Sequence, residues 1–502
     1  MRKLIHLITN RLTIIGIILL LQVAVLWWFV FEFAASWYYL HLTSMILGIL
    51  ISLYISTTGE NPMFKLIWIV FLIVLPVFGV FFYFYSRTER LSLRSSSTMR
   101  HTQKIREVEM KKVISQYNPN YMKHQKYLTN LNFPAFKNTT SSFLGSGEEK
   151  QKELIRELKR AKNFIFMEYF IITISKMWDE ILEVLIQKQQ EGVEIRIMYD
   201  DFGSASKLPY YYHKRLQKLG FKVIRFNPMK LHLNYGMNFR DHRKIVVIDN
   251  RVAFTGGINI GDEYTNKKKV FGHWNDAGIK IIGEAVWSMT MLFLENWSFS
   301  KKVKTLDFET YNLKHDPIQS DAVYIPFGDI PVDDNLTAKN IYLHLINDAH
   351  ESIYITAPYL ILDNEITTAL KLAAQSGVSV NIIMPSIPDK KMVFMVSKSY
   401  AEELIYGGVK VYKYKPGFIH SKMIICDKKV AMIGSSNLDF RSLYMHLENN
   451  IWLDDQKTIL EMSNYFEYTL KESELITKDQ LQKKNIIYRI IQSVLKGFSP
   501  LL

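Results

Sequence analysis

His242-Arg243-Lys244-Ile245-Val246-Val247-Ile248-Asp249 returns 178 residues later as His420-Ser421-Lys422-Met423-Ile424-Ile425-Cys426-Asp427. Both phrases read His-x-Lys-x4-Asp, and both run on into Gly256-Gly257-Ile258-Asn259 or Gly434-Ser435-Ser436-Asn437. The four residues after each lysine are apolar and largely β-branched, which predicts a strand. On a strand, residues i and i+2 share a face, so His242 with Lys244, and His420 with Lys422, each offer an imidazole and an ammonium to one side. An imidazole can attack phosphorus and an ammonium can hold phosphate oxygens. A duplicated pair predicts one phosphoryl-ester site built from two halves. Asp249 and Asp427 are motif members too, but seven residues on they fall in the turns Asp249-Asn250-Arg251 and Asp427-Lys428-Lys429, where a structural role is expected.

Outward from these phrases the repeat continues. Phe164–Ile171 matches Ile353–Leu360, Gly192–Met198 matches Gly377–Ile383, and Gly220–Ile224 matches Gly408–Tyr412. Each copy reads strand, helix, strand, helix, strand, with a glycine before each later strand that suits a helix C-terminal cap. The glycine offsets are 185 and 188 but the histidine offset is 178, so the first copy carries an extra loop, Pro228 to Arg240, beside its histidine. The predicted fold is α/β: two pseudo-symmetric lobes of mixed sheet flanked by helices, over 132–315 and 316–502.

Ahead of the lobes, Leu12–Phe31, Tyr38–Ser56 and Phe64–Tyr85 are each near the length of a spanning helix. Residues 1–86 are therefore expected to form a membrane anchor of two to three spans. Between Ser86 and Asn130 ten Lys and Arg face three Glu, half of the net charge of +14. Residues 87–131 thus read as a basic linker drawn to anionic headgroups. Lys and Arg flank the apolar region on both sides, which favours a multi-pass protein of the cell membrane with cytoplasmic lobes. One cysteine, Cys426 in an apolar run, excludes a disulfide framework or a multi-cysteine metal cage and is expected in the core. No HExxH or cysteine pattern calls for a metal, and no cofactor is expected.

The duplicated phrases resemble the His-x-Lys-x4-Asp motifs of the phospholipase D superfamily. Asn61-Pro62, Phe254–Tyr264, Trp274-Asn275-Asp276, Gly417–Lys422, Gly434–Ser442 and Ser499–Leu502 extend the resemblance, over essentially the whole chain, to the bacterial cardiolipin synthase family. The resemblance implies a phosphatidyltransferase that moves phosphatidyl from one phosphatidylglycerol to another, giving cardiolipin and glycerol. One histidine would form a phosphohistidine, the other would serve as acid and base, and His242 is the expected nucleophile. Lys244 and Lys422, helped by Asn259 and Asn437, would hold the nonbridging oxygens, and Asp276 and Glu448 would orient the imidazoles. Asp241 stands where relatives commonly carry Asn, and a charge there is expected to raise the pKa of His242. The expected partners are phosphatidylglycerol and other anionic lipids rather than nucleic acid. The alternatives are a phospholipase D-type hydrolase, in which water takes the intermediate, a superfamily nuclease, and a non-catalytic scaffold.

Overall fold

A computed structural model describes residues 38–502 apart from 89–92, 115–121, 230–237, 302–307, 332–334, 483–484 and 502, with isolated patches before residue 38. Half of the first apolar stretch and the middle of the extra loop lie outside these residues.

The first sheet comprises β1 (Thr139–Leu144), β2 (Phe164–Tyr169), β3 (Glu194–Asp200), β4 (Lys222–Phe226), β5 (Lys244–Ile248), β6 (Val252–Gly256) and β8 (Gly278–Gly283), with the short β7 (His273–Asn275) outside it. Its order is β1-β8-β6-β5-β2-β3-β4. The second lobe holds β9 (Tyr324–Asp329), β10 (Ser352–Thr356), β11 (Ser379–Pro385), β12 (Lys410–Tyr414), β13 (Gly417–Ile419), β14 (Met423–Cys426), β15 (Val430–Gly434), β16 (Glu448–Leu453) and β17 (Ser473–Leu475). Read from the matching edge, its order β9-β16-β15-β14-β10-β11-β12 repeats the first sheet strand for strand, and β17 adds one edge. In each sheet the first three strands after the leading helices run parallel, and the hairpin that carries the His-x-Lys phrase joins them antiparallel. The glycines before the third and fourth strands, Gly192, Gly220, Gly377 and Gly408, all have φ near +90°, the left-handed cap conformation their positions predicted.

The two sheets share one apolar core. Helix Val286–Lys301 is buried on every face from Val286 to Ser298, and it packs with residues of both lobes in a single cluster. A helix with no polar face must lie between layers. Helix Leu93–Ile114 is fastened to it by a buried ion pair, Arg106 Nε to Glu295 Oε2 at 2.8 Å. Part of the basic linker is thus core: Arg106 is buried, whereas Lys104, Lys111 and Lys112 stay exposed.

The anchor differs from three plain spans. Of the described residues, one helix, Tyr38–Thr57, is long and apolar enough to cross a bilayer. The third apolar stretch is broken into Pro62–Val74 and Pro76–Thr88. Pro76 lacks an N–H and disfavours a helical residue before it, and Leu75 accordingly has φ −130° and ψ 67°. Thirteen residues of helix rise about 20 Å, short of the ~30 Å hydrocarbon layer.

Candidate active site

Each His-x-Lys phrase lies at the mouth of its sheet, and each is held by the opposite lobe. Asp241 bridges Leu447, and His242 N donates to Leu447 O at 2.9 Å. By the same construction Ile419 pairs with Asn275 in the parallel β13–β7 ribbon, and His420 N donates to Asn275 O at 2.6 Å. In both cases the residue before the histidine pairs with the residue before a carboxylate. The carboxylates are therefore delivered across the interface: His242 Nδ1 lies 2.9 and 3.1 Å from the oxygens of Glu448, and His420 Nδ1 lies 2.6 Å from Asp276 Oδ2.

These contacts fix chemistry as well as position. With Nδ1–H donated to a carboxylate, the nitrogen left for reaction is Nε2. The carboxylates are themselves held. Ser435 and Ser442 hydroxyls donate to the two oxygens of Glu448, at 2.5 and 2.6 Å. Asp276 Oδ1 accepts the Ala277 N–H at 2.8 Å, and Gly257 leaves no room beside it, since a Cβ there would lie 2.2 Å from Asp276 Oδ1. Both ammoniums turn back on the motif, Lys244 Nζ donating to His242 O and Lys422 Nζ to His420 O. Asn449 ties the lobes further, its Nδ2 donating to Thr255 Oγ1 at 2.6 Å and its Oδ1 accepting from Lys244 N at 3.4 Å.

The cleft is dry. His242 and His420 are 7 % exposed, with the rings of Phe170 at 4.9 Å from His242 and of Trp274 and Phe418 at 5.2 and 5.7 Å from His420. Burial pushes His242 down to about 3, Glu448 opposing and Lys244 assisting. Burial, reinforced by Lys422, pushes His420 down to about 4. Burial also takes Lys244 to about 7 and Lys422 to about 8, with Lys422 pressing Lys244 further down. Burial would raise the Glu448 carboxyl, but His242 and Lys244 overcome it and hold it low. Asp276 is likewise held low, burial being outweighed by His420 and Lys422. Burial thus favours the neutral form of both imidazoles, while the facing rings and lysines favour the ionised form of both carboxylates. A bound phosphodiester anion, by its charge, draws the missing proton to one ring.

The expectation for Asp241 is overturned. Burial, and the neighbouring Glu168, push its carboxyl well up, and Glu168 is itself raised by burial. Asn296 Nδ2 bridges the two acids, donating to Glu168 Oε1 at 2.7 Å and to Asp241 Oδ2 at 3.1 Å. Burial and mutual repulsion thus disfavour a second charge on this pair, and the ring of His242 is depressed by its own burial rather than raised.

Asp249 and Asp427 are the two motif candidates not brought to the cleft. Asp249 accepts the N–H groups of Lys162, Asn163 and Phe164 at 2.7–2.8 Å, and Asp427 those of His350, Glu351 and Ser352 at 2.7–2.9 Å. Each clips the start of the neighbouring strand, β2 or β10. D249A should lower the unfolding free energy by about 3 kcal/mol, because buried donors lose their acceptor, while the folded fraction retains its kcat; urea titration and active-site-normalised assay together check this. Asn259 Oδ1 accepts from Ile171 N at 3.1 Å and its Nδ2 donates to Tyr264 Oη at 3.1 Å, whereas the buried Oδ1 of Asn437 has no partner.

The sequence reading missed Ser435 and Ser442, although they lie inside the second motif tail, and it missed Asn449 and Arg243. That fully buried guanidinium donates to the carbonyls of Glu448, Leu292 and Asp329 at 3.2–3.3 Å, joining both lobes to the central helix.

A duplicated α/β lobe whose paired His-x-Lys phrases meet in one cleft defines the phospholipase D superfamily. The match to solved structures agrees: phosphatidylserine synthase from Haemophilus influenzae superposes with a TM-score of 0.58 over 75% of this chain and 98% of its own, at 16% identity. The sequence profile described as cardiolipin synthase, PLD-like domain, matches residues 154–269 and 342–470. A Bacillus cereus protein named cardiolipin synthase 2 is 37% identical over 468 residues, 90% of each chain. An uncharacterized Streptococcus mutans protein is 38% identical over 90% of this chain and 99% of its own. The chain belongs to the cardiolipin synthase family, phosphatidyltransferases built on the phospholipase D fold.

Lys244 and Lys422 lose their protons in the range of about 7 to 8 in the empty cleft. Above that range the amines no longer attract a phosphodiester, so kcat/KM, which reports the free enzyme, should fall on the alkaline side with an apparent pKa between 7 and 8. In kcat this limb should move upward, because bound phosphate keeps the ammoniums charged. Initial rates across pH 6–10 at limiting and saturating lipid check both.

Proposed function

We propose that this chain transfers phosphatidyl between two phosphatidylglycerol molecules. His242 Nε2 attacks phosphorus, and the bond to the glycerol headgroup breaks as His420 Nε2 gives its proton to the departing oxygen. The terminal hydroxyl of a second phosphatidylglycerol then gives its proton to His420 and attacks the phosphohistidine, releasing His242 and leaving cardiolipin. Glu448 and Asp276 hold the rings and stabilise their cationic forms. Lys244 and Lys422 neutralise the nonbridging oxygens as charge builds in each transition state. Two in-line displacements through a covalent intermediate replace one difficult step.

The observation that carries transfer over hydrolysis is the burial of both rings behind Phe170, Trp274 and Phe418. Water is scarce there, and an alcohol presented by a lipid competes well for the intermediate. The apolar helix Tyr38–Thr57 and the exposed basic residues after it favour a membrane enzyme with its lobes on the cytoplasmic side.

Purified full-length protein in phosphatidylglycerol vesicles provides the test. Cardiolipin and glycerol in equal amounts support the proposal, whereas phosphatidic acid as the main product makes the enzyme a hydrolase. Acid-free quenching and peptide mass mapping should find the phosphoryl group on His242, and salt-sensitive DNA cleavage would point to the nuclease alternative.

A further inference from the structure

Helix Ile486–Gly497 is turned the wrong way for a soluble protein. Its sequence concentrates isoleucine and valine on one face, and that face looks outward: Ile486 is 68 % exposed, with Ile487, Ile490, Ile491 and Val494 about as open. The face against the protein is mixed: Leu495 packs on the core, beside two polar residues. Gln492 is 4 % exposed and its Nε2 donates to Met395 O at 2.9 Å, while Lys496 Nζ meets Glu403 Oε2 at 2.8 Å. A contiguous apolar stripe of this kind marks a contact surface rather than a core.

We propose that this helix lies in the membrane interface and seats lobe 2 on an anionic bilayer. Three observations select the bilayer as occupant. First, the helix is tied to the apolar N-terminal region through one shared element. Beyond the helix the chain turns through Ser499–Leu501, where Leu501 O accepts from the Arg441 guanidinium at 2.9 Å. The same short helix, Phe440–Tyr444, receives helix Pro62–Val74 on its other side, with Phe64 at 5.8 Å from both Phe440 and Tyr444 and with Asn61 Nδ2 donating to Tyr444 Oη at 2.8 Å. Second, helix Pro62–Val74 also carries exposed apolar residues, among them Ile73 and Val74. Third, the twenty residues from Lys483 to Leu502 contain four Lys or Arg and no Asp or Glu. Apolar insertion plus positive charge is the signature of an interfacial helix on anionic lipid.

The placement bears on catalysis. Phe440–Tyr444, which both apolar elements contact, lies in the chain between Asn437 and Glu448, so a bilayer seated on those elements would lie close to the motif tail that lines the cleft. The inference rests on the membrane location proposed above, and its test separates the two. Cys426 is buried, so a fluorophore can be placed by maleimide at I490C in the full-length chain, with Y54C in the long apolar helix and Q190C on lobe 1 as references. In nanodiscs of phosphatidylcholine and phosphatidylglycerol, nitroxide lipids should quench position 490 several-fold more than position 190, and aqueous iodide should show the reverse order. Iodide access at 490 with lipid quenching intact at 54 would overturn the inference while leaving the anchor standing; iodide access at 54 would remove the anchor as well. Shielding of 490 from both quenchers in particles of two chains would assign the stripe to a second copy and overturn it equally. The double variant I487D/I491D should lose at least tenfold in turnover on phosphatidylglycerol bilayers while keeping its rate on a water-soluble short-chain phosphodiester.

Discussion

H242N and H420N should each lower kcat by about 10⁴-fold or more, and the double variant should be no slower than the worse single one. Groups that act as one unit are grossly non-additive when removed, and these rings are coupled by construction: each lies within the field of both lysines or of the other lobe's carboxylate. Both variants should fold, because asparagine fits the space of the ring and His242 N and His420 N keep their backbone partners. The substrate can be chosen to tell the rings apart. If His420 serves the departing oxygen, a phosphodiester with a p-nitrophenyl leaving group needs no acid, and H420N should recover much of its release rate. H242N should stay inactive on the same compound, since nothing else attacks phosphorus. The opposite pattern would exchange the two assignments and leave covalent catalysis intact.

E448Q and D276N should each cost about 10³- to 10⁴-fold in kcat with little change in thermal stability. A carboxamide fits among Ser435 and Ser442 without a void, but it cannot neutralise an imidazolium, and its NH2 can donate to Nδ1 and push the ring proton to Nε2. The defects should divide across the lobes. E448Q lies in lobe 2 but disables His242, so formation of the phosphoryl-enzyme should slow, seen as a lost burst. D276N lies in lobe 1 but disables His420, so the p-nitrophenyl substrate should rescue it as it rescues H420N. Rescue of E448Q instead would exchange the roles assigned to the two rings.

The repeat made much of this architecture readable before any coordinates. The β-branched runs after Lys244 and Lys422, the glycines at 192, 220, 377 and 408, and the motif tails mark strands, caps and hairpins because each follows from local rules. Asp276 and Glu448 were legible as candidates through the family resemblance. Which ring each one serves was not, since the partners are 144 and 206 residues apart and no local pattern records a contact between lobes. Arg243 is invisible for the same reason: an arginine between two motif residues looks solvated until three carbonyls from distant segments surround it. Asp241 misled because charge was assigned from residue type, whereas burial beside Glu168 decides its protonation. Pro76 could have been read as the break in the third apolar stretch, and hydropathy alone concealed it.

The crossing of the carboxylates has a consequence for the chain while it is being made. Synthesis proceeds from the N-terminus and domains tend to fold in that order, so His242 is in place long before residue 448 exists. Until then its ring has no acceptor for Nδ1–H and no second ammonium opposite. On the proposed mechanism, a nascent or half-folded chain therefore lacks the pairing that readies His242 for attack, and only the completed two-lobe chain should form the phosphoryl-enzyme.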